Sequence, residues 1–336
     1  MRLSLVTGGG GFLGGALVRR LVADGDAVRT LQRGHYPELD ALGVECVRGD
    51  IADSEVVDRA VAGCNRVFHV AGKVEMWGPR GPFERTNVVG TRNVIDAVRR
   101  HGVPRLVFTS SPSVVHGGHD IAGADESLPY PDRYCAAYPA TKAEAERLVL
   151  AANDPELSTV ALRPHLIWGS GDTNLVPRIV ARARAGQLRL VGDGSNLIDT
   201  VYIDNAVDAH VLAAERLAPS AACAGRPYFI TNDEPWPVRD VINGFVTAAG
   251  LEPVDRSIPF AVALAAGWLF ETVHRLRPGV GEPRLTRFLV RHLATAHWYD
   301  ISAAKRDLGY EPRVSMEEGM ERLRASMASG GGDGSP

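Results

Sequence analysis

The most constraining feature of this chain is a glycine-rich stretch, VTGGGGFLGGAL, which covers residues 6–17. Gly8, Gly11 and Gly14 fit the pattern TGxxGxxG. The stretch follows a short apolar run, residues 3–7, and it opens a segment whose apolar residues recur at helical spacing. Glycines between a strand and a helix allow a tight turn, and the helix N-terminus offers free N–H groups to a pyrophosphate. The pattern therefore predicts a dinucleotide-binding β–turn–α unit, with a ligand-free glycine turn as the alternative.

Strand and helix patterns alternate through the first half of the chain. Short, nearly continuous apolar runs predict strands at residues 3–7, 27–31, 44–48, 66–71, 105–110 and 158–163. Between them, helical spacing is found in segments 12–24, 53–62, 84–100 and 135–153. Such runs are typical of parallel strands that helices cover on both faces. The sequence therefore predicts an α/β fold, a Rossmann-type doubly wound parallel sheet.

The rhythm loosens in the second half, which predicts a division into two lobes. Residues 1–165 are expected to form the dinucleotide-binding domain, joined by strands that return to its sheet near 199–206 and 226–231. A smaller, mainly helical lobe is predicted from residues 166–198 and 232–325. Its helices are expected near 175–186, 238–250 and 258–293, the last interrupted by the stretch RPGVGEP. The glycine-rich end, residues 326–336, is expected to be disordered.

Composition excludes several classes of protein. The 336 residues include 37 basic and 40 acidic side chains, and a net charge of −3 gives no reason to expect nucleic-acid binding. The four cysteines form no CxxC pair and no histidine motif accompanies them, so no metal site is expected. Scattered cysteines are typical of a reducing, cytoplasmic location. The longest apolar run, residues 258–270, is too short for a transmembrane helix, and the first residues are not typical of a signal peptide.

The ends of the next strands indicate which dinucleotide is bound. An NAD site usually places an acid after the second strand, whereas here Gln32 and then Arg33 follow it. Arg33 can pair with a 2′-phosphate, which favours NADPH or NADP, although an exposed surface arginine is the alternative. Asp50 after the third strand is either an acceptor for the adenine amino group or a turn residue. Small residues after the fourth strand, Ala71 and Gly72, would let the cofactor pass close to the backbone.

A tyrosine and a lysine four residues apart, Tyr138 and Lys142, lie in a predicted helix and therefore share one face of it. Ser110 and Ser111 end the fifth strand, at the edge where ligands bind in open α/β sheets. A right-handed crossover would bring Tyr138 back over that edge, next to Ser111. Hydride addition to a carbonyl leaves charge on oxygen, which a serine hydroxyl can hold and a tyrosine can protonate. A neighbouring ammonium would lower the pKa of Tyr138 from its usual value near 10.

These motifs occur in a recognisable order. TGGGGFLG, RGDIAD, HVAG, TNVVGTRNV, TSSPSV, YPATK and LRPHLIWGSGD together resemble the extended short-chain dehydrogenase/reductase family, in its 3β-hydroxysteroid dehydrogenase branch. The resemblance implies a catalytic set of Ser111, Tyr138 and Lys142, with Asn87 as a supporting residue. It also implies an NADP-binding site formed by the following residues: Gly8, Gly11, Phe12, Leu13, Gly14, Arg33, Asp50, Ile51, Ala71, Gly72, Tyr138, Lys142, Pro164 and His165. His116 departs from the tyrosine that many relatives have in the loop after the serine.

Longer runs, among them LVGDGSNLIDTVYIDNA and HWYDISAAKRDLGY, resemble a group of bacterial reductases from long-chain olefin biosynthesis. That resemblance implies an NADPH-dependent reduction of the keto group of a two-chain β-keto acid, with the second lobe binding the substrate. The apolar candidates for its pocket are Trp77, Phe83, Phe260, Leu264, Trp268, Leu269, Phe270, Leu285, Phe288, Leu289 and Leu293, although packing between helices explains most of them equally well. The candidates for binding a carboxylate are Lys73, Arg163, His165 and Arg178.

Three alternatives stay open on the sequence. One is a hydroxysteroid or sterol dehydrogenase, and another is a nucleotide-sugar epimerase or dehydratase. The third is a non-catalytic protein that senses NADP, which would have no reason to keep Tyr138, Lys142 and Ser111 in register. The family resemblance also implies a homodimer through the helices at 84–100 and 135–153, and the closer one an assembly with other enzymes of olefin synthesis.

Overall fold

The computed structural model describes residues 2–276 and 283–330. Within this part of the chain, seven parallel strands form one sheet in the order β12-β7-β5-β4-β1-β2-β3. These strands are β1 (Leu3–Thr7), β2 (Ala27–Gln32), β3 (Glu45–Arg48), β4 (Arg66–His69), β5 (Arg105–Thr109), β7 (Ser158–Pro164) and β12 (Arg226–Ile230). The predicted Rossmann-type sheet is confirmed.

Helices cover both faces of this sheet. One face carries α3 (Ser54–Val61), α5 (Gly90–Arg100) and α6 (Ala137–Ala151); the other carries α1 (Phe12–Ala23) and α8 (Ile203–Arg216). Alternate strand residues point to opposite faces, so Leu5 packs in one apolar core and Val6 in the other. This double burial explains why the strands are continuous apolar runs.

The two predicted returning strands had different outcomes. Residues 226–230 join the main sheet beside β7, as predicted. Residues 199–206 do not: β11 (Val201–Tyr202) pairs only with β8 (Ile167–Trp168), and α8 begins at Ile203. The prediction was wrong there because the apolar residues after Tyr202 recur at helical spacing and bury one side of a helix against α1.

Outside the main sheet, the chain forms short strands and further helices. These helices are α7 (Leu175–Arg184), α9 (Val238–Ala248), α10 (Phe260–Leu276), α11 (Arg287–Ala294), α12 (Ser302–Leu308), which packs against α8 and β12, and α13 (Met316–Gly330). A four-stranded sheet has the order β13-β10-β15-β6, formed by Trp236–Pro237, Leu197–Ile198, His297–Tyr299 and Ile121–Ala124. A third pairing joins β9 (Leu190–Val191) to β14 (Ser257–Ile258), and α2 (Pro37–Asp40) is a single turn after β2. Most of the predicted interruption RPGVGEP lies outside the described residues.

The predicted disordered end was wrong for residues 326–330, which belong to α13. Met320 and Leu323 are buried and Met327 packs against the core, so the helix keeps its tertiary contacts beyond residue 326. Residues 331–336 lie outside the described part. Among the described helices, none is both long enough and apolar enough to span a membrane.

Candidate active site

The glycine turn has the geometry of an anion cradle. Gly8 has φ +75°, its N–H donates to Leu31 O at 2.7 Å, and its own carbonyl accepts from Gly11 N–H at 2.9 Å. A Cβ on Gly14 would lie 2.1 Å from Gly8 O, so only glycine fits. Helix α1 begins after Gly11 with no side-chain cap, which leaves N–H groups of its first turn for a ligand. These features fit a dinucleotide pyrophosphate.

We expect Gly14→Ala to weaken NADP(H) binding by about tenfold or more, because the added methyl must push the turn away from the helix. Titration of the cofactor by fluorescence or calorimetry measures this. Gly81→Ala is the matched control, since a Cβ there meets no atom within 4 Å. Equal affinity of the two variants would contradict the cradle.

The residues after β2 and β3 surround the adenine side of this turn. Arg33 is exposed, and no ion pair engages it within residues 2–276 and 283–330. The ring of Tyr36, which the sequence did not single out, lies where a Cβ on Gly10 would stand, 2.1 Å from Cε2. Asp50 accepts from Ala52 N–H at 2.9 Å, the turn geometry that was one of its two interpretations. Ile51 is buried against the start of α5.

A buried chain of hydrogen bonds holds the loop after β4. Ala71 N–H donates to Thr7 Oγ1 at 3.1 Å, and Thr7 lies 2.9 Å from His69 Nδ1. On the other side of the ring, His69 Nε2 is 2.9 Å from Thr91 Oγ1, whose hydrogen goes to Asn87 O. His69 therefore donates through Nε2 and accepts at Nδ1. Burial, with Lys142 nearby, lowers the pKa of His69 to about 3, so the ring is neutral.

Asn87 connects this loop to the helix that carries the tyrosine and the lysine. It lies in a π-helical turn, Glu84–Val89, which follows the short helix α4 (Arg80–Phe83). Its amide accepts from Lys73 N–H at 2.8 Å and donates to Thr141 Oγ1 at 3.0 Å. Thr141 stands next to Lys142 on α6. The predicted supporting position of Asn87 is thus a physical link between two elements, and π-turns are frequent at functional sites.

Ser111 and Tyr138 meet at the carboxyl end of β5. Ser111 caps a short 3-10 turn, Pro112–Val114, and its Oγ accepts from Ser113 N–H at 3.2 Å and from Ser113 Oγ at 3.0 Å. The Ser111 and Ser113 hydroxyls lie near the Tyr138 phenol and favour its ionised form. Burial outweighs them and raises the pKa of Tyr138 above its usual value. The expectation that Lys142 lowers this pKa is not met in the cofactor-free protein.

The amine of Lys142 is directed elsewhere. Its Nζ donates to Thr109 O at 2.5 Å and lies 4.1 Å from the centroid of the Phe108 ring. Burial lowers the pKa of Lys142 to about 7, and Glu146 acts in the opposite direction. The lysine is therefore poised between its two protonation states near neutral pH.

One turn further along α6, Glu146 forms a buried ion pair that the sequence analysis missed. Its carboxylate accepts from Arg163 Nε at 3.0 Å and Nη2 at 2.7 Å, and from Tyr130 Oη at 2.6 Å. Glu146 and Arg163 are 0% and 2% exposed. The i, i+4 spacing from Lys142 to Glu146 was visible in the sequence, but its partner was not. Arg163 is thereby removed from the candidates for a substrate carboxylate.

The other carboxylate candidates have diverse surroundings. Lys73 pairs with Glu75 at 2.5 Å, and His165 Nδ1 lies 2.7 Å from Asp199. Pro164, between Arg163 and His165, is buried at the end of β7. Arg178 is exposed on α7.

The apolar candidates divide between packing and exposure. Leu264, Leu285 and Leu293 pack in a small core between α10 and α11. Phe83 is buried, and Phe270, Phe288 and Leu289 are half-buried. Phe260, Trp268 and Leu269 are exposed, the last two by 56% and 55%. Trp77 contacts the guanidinium of Arg275, so the loop after β4 touches α10.

A dinucleotide on the glycine turn would extend along the edge where Ser111 and Tyr138 meet, and this combination places the chain among NAD(P)-dependent oxidoreductases of the extended short-chain dehydrogenase/reductase type. More narrowly, the chain belongs to the 3-beta hydroxysteroid dehydrogenase/isomerase family, whose model matches residues 5–261. Both the family and the enzyme class predicted from the motifs are confirmed.

Curated relatives match nearly the whole chain. The 2-alkyl-3-oxoalkanoate reductase of Stenotrophomonas maltophilia is 55% identical over 97% of this chain and 99% of its own. The enzyme of the same name from Shewanella oneidensis is 48% identical over 96% of this chain and 86% of its own. Human sterol-4-alpha-carboxylate 3-dehydrogenase, decarboxylating, is 38% identical over 94% of this chain and 86% of its own.

Solved structures share the fold. The crystal structure of gox2253 has a TM-score of 0.79 at 25% identity, covering 98% of this chain and 99% of that one. MoeE5 in complex with UDP-glucose and NAD has a TM-score of 0.74 at 25% identity, covering 97% of this chain and 99% of that one. The similarity extends over both lobes.

Proposed function

We propose that this enzyme uses NADPH to reduce the 3-keto group of a long-chain 2-alkyl-3-oxoalkanoic acid, giving the 2-alkyl-3-hydroxyalkanoic acid for bacterial olefin synthesis. The observation that carries the proposal is the identity of 55% to a 2-alkyl-3-oxoalkanoate reductase over 97% of this chain. The meeting of Ser111 and Tyr138 at the sheet edge supports a carbonyl reduction.

The cofactor site in this proposal uses the residues predicted from the sequence. Gly8, Gly11 and Gly14, with Phe12 and Leu13, cradle the pyrophosphate. The adenosine half would be held near Arg33, Asp50 and Ile51, and the central part near Ala71 and Gly72. Pro164 and the main chain of His165 would hold the nicotinamide, which would supply the hydride for reduction of the substrate carbonyl at C3.

Ser111 binds the carbonyl oxygen in this mechanism. Its Oγ accepts two hydrogen bonds from Ser113, so its own hydrogen can be donated to a substrate oxygen that binds beside the Tyr138 phenol. Ser113 is thus a positioning residue that polarises Ser111. As negative charge develops on the oxygen, this preorganised donor stabilises it more than it stabilises the ground state.

Tyr138 gives the proton. Its raised pKa keeps the phenol protonated at neutral pH, which suits an acid in the reducing direction. Lys142, with a pKa of about 7, can return a proton to the phenolate after each turnover and can bond the nicotinamide ribose.

We expect Arg33→Ala to raise the KM for NADPH by about 10- to 100-fold with little change for NADH, because the guanidinium pairs with the 2′-phosphate. Steady-state kinetics with both cofactors measure this. Arg324→Ala, another exposed arginine, is the control. An equal rise in KM for NADPH and NADH would show that Arg33 contributes to cofactor binding without selecting the 2′-phosphate. An unchanged KM for both would show that Arg33 is not part of the site.

The substrate assay follows NADPH consumption with a synthetic 2-alkyl-3-oxoalkanoic acid, and NADP reduction with the 2-alkyl-3-hydroxy acid. A 3β-hydroxysteroid is tested in parallel, since sterol dehydrogenases are also relatives. Turnover of the branched acids and not of the steroid is expected. Turnover of the steroid alone would refute the substrate while keeping the chemistry, and tight NADPH binding without turnover of either would favour the sugar-nucleotide or sensor alternatives.

The proposal extends to assembly and location. Helix α5 and α6 lie side by side and form a shallow groove lined by Ile95 and Leu148, where a second copy would pack to give a homodimer. All four cysteines are free thiols, which supports a cytoplasmic location. Sedimentation of the pure protein, alone and with the other olefin-synthesis enzymes, tests both the dimer and the larger assembly.

A further inference from the structure

Four histidines from distant parts of the sequence meet beside the end of β7. This histidine cluster consists of His116, His165, His292 and His297. The rings of His292 and His297 are stacked, with their centroids 4.0 Å apart. The centroid of the His165 ring lies 4.9 Å from that of His297 and 6.0 Å from that of His292. His116 stands 5.5 Å from His292. The reduction described above uses the main chain of His165 but none of these four imidazole rings.

Three nitrogens of the cluster are buried without a hydrogen-bond partner: His165 Nε2, His292 Nδ1 and His297 Nδ1. Leaving one buried polar atom unpaired costs about 1–3 kcal/mol, so three together call for an explanation. One potential ligand atom from each of these three histidines lies within 4.8 Å of the others.

In His165 and His297, the second ring nitrogen has a polar partner, and that contact bears on what the unpaired nitrogen can bind. His297 Nε2 lies 2.6 Å from the main-chain oxygen of His292, which only accepts, so Nε2 carries the hydrogen. In the neutral ring, Nδ1 then keeps its lone pair. His165 Nδ1 lies 2.7 Å from Asp199 Oδ1, the kind of outer carboxylate contact that metal-binding histidines have. The lone pair on His297 Nδ1 repels an anion and attracts a cation.

We propose that His165, His292 and His297 bind a divalent transition-metal cation such as Zn²⁺. Imidazole nitrogen is a preferred ligand of zinc, cobalt and nickel, whereas magnesium and calcium prefer oxygen. The outer contacts match those of metal-binding histidines, whose second nitrogen usually donates to a carboxylate or a main-chain carbonyl. Zn–N bonds of about 2.0–2.1 Å require the three rings to close in slightly, and the fourth position is left for water or for His116.

The bound ion would connect the two lobes. His165 follows the main-sheet strand β7, while His292 lies on α11 and His297 begins β15. Metal binding therefore holds the α11–β15 segment of the second lobe against the catalytic edge of the sheet.

The test uses the tag-free, full-length protein treated with a chelator and then titrated with Zn²⁺ by calorimetry. We expect about one ion per chain with a Kd below about 1 µM, and a rise in melting temperature of about 4 °C at saturation. Co²⁺ in place of zinc should give the visible absorption of a tetrahedral nitrogen site. His292→Ala should weaken binding at least 100-fold, and the variant should fold because His292 is half-buried rather than part of the closed core.

Two variants control for adventitious binding. His101→Ala removes a histidine from the end of α5, and Cys135→Ser removes the exposed thiol. Both should bind zinc as the wild type does. Because the readouts are binding and spectrum, the result is independent of the reductase activity. The proposal is overturned if no ion binds at micromolar concentration, or if His292→Ala binds as tightly as the controls.

Discussion

Replacing Tyr138 by phenylalanine is expected to lower kcat about 10³-fold while NADPH still binds with unchanged affinity. The phenol is the proposed proton donor, and general acid catalysis contributes about 10²–10⁴-fold. Its ring is retained in phenylalanine, so the packing of α6 should not change. Steady-state kinetics with the branched keto acid, together with a fluorescence titration of NADPH, separate the two quantities.

Tyr134→Phe is the matched control for this experiment. Tyr134 lies four residues earlier and donates its hydroxyl hydrogen to Val114 O at 2.8 Å, so its variant loses one hydrogen bond in the same region. We expect less than a threefold change in kcat from this control. Retention of more than a tenth of the wild-type kcat by Tyr138→Phe would contradict the proton-donor role, whereas loss of NADPH binding would indicate a structural role.

The reverse reaction places the opposite demand on Tyr138, because oxidation of the hydroxy acid needs the phenolate. Burial raises the pKa of Tyr138 in the cofactor-free protein. The positive charge of the oxidised nicotinamide would favour the phenolate once it is bound. The oxidation rate should therefore rise with pH through a group that is absent from Tyr138→Phe.

Glu146→Gln is expected to reduce the free energy of unfolding by about 3 kcal/mol, although Glu146 touches neither substrate nor cofactor in the proposed mechanism. The substitution leaves the Arg163 guanidinium, which is 2% exposed, without its counter-charge. Removing one partner of a buried ion pair typically costs about 3–5 kcal/mol. Urea denaturation measured at equilibrium gives the value.

Helix α6 supplies its own control. The Glu144 side chain is 34% exposed and meets Arg80 and Arg92 only at 3.5 Å, so Glu144→Gln should cost less than about 1 kcal/mol. The double variant Glu146→Leu with Arg163→Met, which removes both charges, should be more stable than Glu146→Gln alone. Similar losses for the Glu144 and Glu146 variants would show that the buried pair does not carry the stability assigned to it.

Much of the fold could be predicted because its determinants are local. The glycine turn is specified by residues that touch one another, such as Gly8 and Gly14. Continuous apolar strands predict a sheet covered on both faces, and the i, i+4 spacing places Tyr138 and Lys142 on one side of α6. The carboxyl edge of a parallel sheet then brings Ser111 and Tyr138 together, as the motif order predicted.

The errors have equally physical causes. Residues 199–206 contain a short apolar run that fits a strand, but two residues pair with β8 and the helical spacing after Tyr202 takes over. The predicted disordered end was wrong at residues 326–330, because α13 continues through them and Met327 packs against the core. The choice between strand and helix at residues 199–206, and between helix and disorder at residues 326–330, depends on contacts with other segments and cannot be made from the local sequence.

What the sequence determined by itself is the class of fold, the glycine turn and the helix that carries Tyr138 and Lys142, since each depends on spacing within one or two neighbouring elements. Tertiary structure alone decided the environment of these groups. Burial placed the pKa of Tyr138 above rather than below its usual value. The tertiary structure also paired Arg163 with Glu146. It brought together His165, His292 and His297, which are too far apart in the chain to form a spacing motif. Burial and charge pairing depend on which distant segments pack together, and no local pattern encodes that.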